Sequence, residues 1–103
     1  MRLMRSVSVR KEETVVRMFV RHRVADYTAW REVYDSIDDE RRGMGVTEDA
    51  VYRSVVDPND VTIWHDFSTQ EDADSFGSSS QLREAMGRAG VQGDPEVWFA
   101  TVA

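Results

Sequence analysis

Cysteine is absent from these 103 residues, which excludes a disulfide, a thiolate nucleophile and a cysteine-based zinc site. Its absence fits a reducing compartment, and a cytoplasmic location is the expectation. No apolar stretch approaches the roughly 18 residues that a membrane span requires. The opening MRLMRSVSVRK lacks an apolar core ahead of a small-residue cleavage site, so no signal peptide is expected. HExxH, a glycine-rich phosphate loop, Walker A and GxSxG are all missing, which argues against a hydrolase of familiar type.

The charge is uneven. Residues 1–23 hold seven Arg/Lys against two Glu, a net of +5, and the remaining residues carry −11. An acidic body repels phosphate backbones, and no basic stripe interleaved with aromatics follows residue 23, so nucleic acid is not the expected partner. Residues 1–13 read as a basic, flexible lead-in, and 14–103 as one domain of ordinary size. Such a chain builds a modest core that a partner subunit would extend.

TVVRMFVRHRV (14–24) is rich in β-branched residues and reads as a strand, with Val16, Met18, Val20 and His22 on its more apolar side. Asp26 is placed to cap a helix on which Tyr27, Trp30, Val33, Tyr34, Ile37 and Arg41 share a face, ending near Arg42 ahead of Gly43 and Gly45. AVYRSVV (50–56), the turn residues Asp57-Pro58-Asn59-Asp60 and VTIWHDF (61–67) read as a hairpin. Ser68-Thr69-Gln70-Glu71 matches a capping box with Ser68 as the cap. The helix it opens breaks at Gly77, a second runs from about Ser80 to Arg88, residues 90–95 form a connector, and VWFATV closes the chain as a strand. The order β-α-β-β-α-β, with its second helical segment split, predicts an α+β, ferredoxin-like four-stranded antiparallel sheet.

Helices cover only one face of such a sheet, yet both parities of the later strands are apolar. Val61, Ile63 and Phe67 oppose Trp64; Val97 and Phe99 oppose Trp98, Ala100 and Val102. An uncovered face of that kind is an association surface, so a homodimer packed sheet to sheet is expected.

His22 is the candidate catalytic residue, because an imidazole with a reference pKa near 6.5 suits proton transfer. The competing role is a structural ring at a strand end, bonded to a helix terminus. His65 shares a side with Ile63 and Phe67, as a packed core histidine or a ligand contact. On antiparallel neighbours the two histidines stand about four residues apart, roughly 13 Å, too far to share a metal. Tyr27, Trp30 and Tyr34 form a helical stripe that serves either as a wall against an aromatic ligand or as anchors of helix on sheet. Tyr52 and Trp64 carry the same ambiguity. Arg53 is a candidate to neutralise an anionic oxygen or a plain surface cation.

The segments VRHRVADYTAWREVYD, YRSVVDPNDVTIWHDFSTQEDADSF and LREAMGRAGVQGDPEVWF together resemble the dimeric α+β-barrel superfamily, and within it the antibiotic-biosynthesis monooxygenases and small polyketide cyclases, over about residues 14–102. The resemblance implies a ferredoxin-like subunit that pairs sheet to sheet, with a pocket between sheet and helices. It implies oxidation of polycyclic phenols to quinones without flavin or metal, or cyclisation of poly-β-keto chains through enolisation; other members bind or degrade haem. His22 corresponds to the strand-end histidine, and Asp26, Tyr27, Trp30 and Tyr34 to pocket positions. A cofactor-independent enzyme acting on an aromatic or polyketide-like molecule is the leading expectation, and a non-catalytic dimeric ligand-binding or stress-related protein is the rival.

Overall fold

The computed structural model describes residues 14–102; the basic lead-in at 1–13 lies outside the described residues. Four strands, β1 (Val16–Val24), β2 (Glu48–Arg53), β3 (Asp60–Phe67) and β4 (Val91–Thr101), form one antiparallel sheet in the order β2-β3-β1-β4. Four helices connect them: α1 (Tyr27–Ser36), α2 (Asp38–Gly43), α3 (Gln70–Gly77) and α4 (Ser80–Arg88). This is the ferredoxin-like α+β arrangement that the element order predicts. Among the described residues no helix is long and apolar enough to cross a membrane.

The sheet sorts its residues by parity, as alternating side chains require. Val16, Met18, Val20, His22 and Val24 of β1 are all buried, and the intervening residues are not. In register with them stand Phe67, His65, Ile63 and Val61 of β3. Onto this inner face pack Trp30 and Tyr34 of α1, Phe76 and Ala73 of α3, and Ala89 after α4, in two adjoining apolar clusters.

Local chemistry explains the element ends, and in four places it departs from expectation. The helix expected to run from Tyr27 to Arg42 is two helices. Asp26 caps the first through Thr28 N (3.1 Å), but at Ile37 (φ −107°, ψ 22°) the backbone leaves helical geometry. There the Arg41 guanidinium turns back and donates to the Tyr34 carbonyl (3.1 Å), satisfying an end-of-helix acceptor. Thr69, not Ser68, caps α3, its Oγ1 accepting from Asp72 N at 3.1 Å. The strand expected at 50–56 is shifted to Glu48–Arg53, because Ser54 Oγ accepts from Val56 N and starts the turn early.

The fourth departure matters most for the site. The expected connector 90–95 belongs to β4, which pairs with β1 from Val91 onward. Its register jumps between Arg21↔Glu96 and Arg23↔Gln92, so a bulge holding Gly93 (φ 70°) and Pro95 lies beside His22. An edge strand tolerates both residues, since its outer amides need no ladder partner.

Candidate functional site

Between the inner face and the helices lies a cavity of about 50 Å³. Its wall is almost wholly apolar, interrupted by His22, His65, Tyr34 and Arg41. Beside it, between α4 and β4, runs a groove of about 420 Å³. Cavity and groove share Met18, Val20, Leu82 and Met86 in their linings. The groove exists because the helices stop short of the edge strand: Val97 and Phe99 point to the inner face yet remain 47% and 40% exposed.

The aromatic stripe of α1 lines up with the histidines. Trp30 stacks on Tyr27 (5.8 Å between centroids) and on Tyr34 (4.9 Å), and meets His22 edge-on at 5.8 Å. His65 lies 6.0 Å from the Tyr34 ring and 4.9 Å from Phe76. Five sequence-derived candidates, His22, Tyr27, Trp30, Tyr34 and His65, thus come together on one side of the sheet, all but Tyr27 lining the cavity itself. Tyr52 and Trp64 do not join them. Both stand on the outer face, in register with Thr62 and with Phe19 and Ala50 respectively; Tyr52 is exposed, and the Arg17 guanidinium covers the Trp64 ring at 3.7 Å. Arg53 is occupied otherwise, donating to the Pro58 carbonyl (3.0 Å) and lying over Tyr27 at 3.8 Å.

His22 is 6% exposed, and among the described residues neither ring nitrogen has a hydrogen-bond partner. No helix terminus satisfies it. Burial lowers its pKa to about 4, so the ring is neutral at pH 7. It stands between the cavity and a shallow polar depression at the β4 bulge, formed with Arg21, Arg23, Asp60 and Glu96.

His65 has a different setting. Its Nε2 is 3.2 Å from the Tyr34 hydroxyl, which is 2.5 Å from Asp49 Oδ2. Asp49 also receives Arg41 Nη1 (2.6 Å) and Arg42 Nη2 (3.2 Å). Burial, helped by the Arg41 charge, lowers the His65 pKa to about 4. Arg41, only 2% exposed, lies over the Tyr34 ring at 3.8 Å. Sequence reasoning missed Arg41 and Asp49 as a pair. The signal was a lone arginine on the apolar face of a helix, which physical chemistry requires to be paired once buried.

The β1–β3 register sets Met18 against His65 and His22 against Val61, which keeps the histidines four residues apart. Among the described residues no group of three His, Cys, Asp or Glu side chains is placed to hold a metal ion.

No protein-family profile matches the sequence, and no curated protein matches it. Solved structures do. A protein provisionally named an antibiotic biosynthesis monooxygenase, from Bordetella bronchiseptica, aligns with a TM-score of 0.76 at 14% identity over 88% of this chain and 99% of that one. SnoaB, a cofactor-independent oxygenase from Streptomyces nogalater, aligns at 0.69 and 12% identity over 85% and 92% of the two chains. A conserved protein from Methanosarcina mazei aligns at 0.70 and 13%, over 89% and 96%. The fold is therefore that of the antibiotic-biosynthesis-monooxygenase-like proteins.

Proposed function

We propose that this protein is a cofactor-independent oxygenase of an aromatic, phenol-like or polyketide-like small molecule, with His22 as the base. The observation that carries the reading is His22 itself: a neutral imidazole, buried in an apolar chamber, with both nitrogens free of hydrogen-bond partners among the described residues. Leaving such a group unpaired costs about 1–3 kcal/mol, a cost that function explains better than packing does. Proton transfer from an acidic hydroxyl or CH to this ring yields a phenolate or enolate beside an imidazolium. In a site of low dielectric that ion pair offsets the depressed basicity of the free ring.

The carbanionic substrate then reduces oxygen. For a methylene flanked by two aromatic rings the balance is one CH2 and one O2 giving one carbonyl and one water, the electrons coming from the substrate. Cyclisation of a poly-β-keto chain would begin with the same proton removal. The groove, with its floor of Val97 and its flexible Met86 and Leu82, is large enough for such a molecule, since small-molecule sites span about 300–1,000 Å³. The ligand enters there, displaces Leu82 and Met86, and brings its acidic end to His22.

The reading includes a homodimer. The outer sheet face carries Phe19 stacked on Trp98 (5.2 Å) beside Trp64, and Trp98 is 44% and Val102 53% exposed. Sheet-to-sheet pairing of two copies would cover them.

The small volume of the inner cavity favours one rival, a non-catalytic ligand-binding protein whose aromatics are mainly core. Oxygen uptake with an anthrone-like phenol, without flavin and with metals chelated, tests the choice. Quinone formation that is lost in His22→Ala supports the enzyme; micromolar binding without turnover, in wild type, supports the rival.

A further inference from the structure

His65 has no task in the reaction just described, yet it is a buried polar group of the cavity wall, held at one ring nitrogen by the Tyr34 hydroxyl. Its neighbours fix where its proton sits. Burial alone would raise the Asp49 pKa, but hydrogen bonds from Tyr34 and Arg41 and the charges of Arg41 and Arg42 outweigh it and hold the carboxylate below its usual range. An ionised carboxylate only accepts hydrogen bonds. The Tyr34 hydroxyl, kept protonated by burial and by that same bond, has one proton, which goes to Asp49 across 2.5 Å.

His65 Nε2, 3.2 Å from the same phenolic oxygen, must then be the donor. A neutral imidazole carries one N–H, so Nδ1 is a bare lone pair. That atom is buried and has no partner among the described residues, in a residue 4% exposed that lines the cavity. Arg41 anchors the chain from behind through Asp49 (2.6 Å), the Tyr34 carbonyl (3.1 Å) and Asp38 (3.2 Å). His22 differs, because none of the described residues bonds either ring nitrogen to choose between its tautomers.

Building on the phenol-binding reading, we infer that His65 is a second ligand-contacting group whose Nδ1 accepts a hydrogen bond from a ligand hydroxyl, with Tyr34, Asp49 and Arg41 as positioning residues that fix its tautomer. The ligand class is thereby narrowed to aromatics that carry a hydroxyl donor. Second-sphere partners of this kind hold a ring nitrogen in one protonation state at fixed orientation, as they do for histidines that bind metals.

Side-chain ¹⁵N NMR of the full-length protein tests this, with 1-naphthol as probe and naphthalene as the hydroxyl-free control. The free protein shows His65 as the Nε2–H tautomer, and 1-naphthol but not naphthalene shifts its Nδ1 resonance. Tyr34→Phe, which keeps the stack on Trp30, mixes the tautomers and lowers the preference for 1-naphthol about tenfold, the worth of one hydrogen bond. An Nδ1–H tautomer in wild type, or bound 1-naphthol that leaves Nδ1 unmoved, overturns the inference. Turnover and 1-naphthol binding unchanged in His65→Phe would sink it while leaving the enzyme reading intact. Failure of 1-naphthol to bind, with the expected tautomer present, would sink the phenol reading and the ligand role of His65 together.

Discussion

The Tyr34 hydroxyl meets Asp49 at 2.5 Å, joining the last turn of α1 to the edge strand β2. One contact thereby ties the helix that carries the aromatic wall to the strand farthest from the groove. It also gives the buried Arg41 its counter-ion, since Asp49 accepts from Arg41 Nη1 at 2.6 Å. Behind Tyr34 the chamber wall is backed by the Asp49–Arg41 ion pair, whereas Met18, Val20, Leu82 and Met86 line the side it shares with the groove.

Removing that counter-ion should therefore cost stability well beyond a surface ion pair. Asp49→Ala leaves a guanidinium that is 2% exposed with Asp38 as its remaining charge partner among the described residues. Breaking a buried pair on one side costs about 3–5 kcal/mol, and the remaining bond to Asp38 puts the expected loss near 3 kcal/mol. Urea unfolding at pH 7 measures it; a loss within about 1 kcal/mol, as for exposed pairs, would contradict the arrangement.

His22 predicts the opposite sign. His22→Leu removes two unpartnered buried nitrogens and keeps an apolar side chain in the cavity wall. Stability should rise by about 1 kcal/mol while turnover falls by at least about a hundredfold, a trade expected where a polar group is kept for chemistry. Thermal unfolding and oxygen uptake on the same preparation give both numbers. A destabilised His22→Leu would mean that the ring is held by interactions absent from this structure.

Acid should weaken the fold through both histidines. Each is held neutral, first by burial, with a folded pKa of about 4 against 6.5 in the unfolded chain. Between those values the unfolded chain binds protons that the folded one refuses, so stability is full above about pH 6.5 and is lost as pH falls toward 4. At about 1.36 kcal/mol per pKa unit the loss reaches at most roughly 3 kcal/mol for each ring. Urea midpoints at pH 7, 5.5 and 4.5 should fall in that order, and His22→Leu should fall less steeply. A flat profile down to pH 4.5 would contradict the burial of the two imidazoles.

Trp98→Glu tests the outer face. Trp98 stacks on Phe19 beside Trp64, and a carboxylate there would be desolvated by a facing copy. Light scattering after size-exclusion chromatography should show a wild-type dimer and a Trp98→Glu monomer at micromolar concentration. A monomeric wild type would contradict the pairing.

The fold was legible because β1 and β3 spell out their parity: Val16, Met18, Val20 and His22 alternate with charged or outward residues, and the expected separation of His22 and His65 by four residues on antiparallel neighbours is the observed one. The resulting placement of Trp30, Tyr34 and both histidines on one side follows from that register and from the three-and-four spacing of α1. Three features were not legible. The break at Ile37 depends on Arg41 reaching a carbonyl seven residues back, and that choice is made by tertiary packing rather than by propensity. The length of β4 was hidden because Gly93 and Pro95 signal a loop unless the strand lies at an edge and bulges. Tyr52 and Trp64 were grouped with the other aromatics by residue type, while their parity puts them on the outer face.

A crystal structure with an anthrone-like phenol bound tests the central claim most directly. The account predicts the aromatic rings lying from the α4–β4 groove into the chamber, Leu82 and Met86 displaced outward, and the acidic group within hydrogen-bond distance of His22. A ligand bound elsewhere, with Leu82 and Met86 unmoved and His22 untouched, would contradict it.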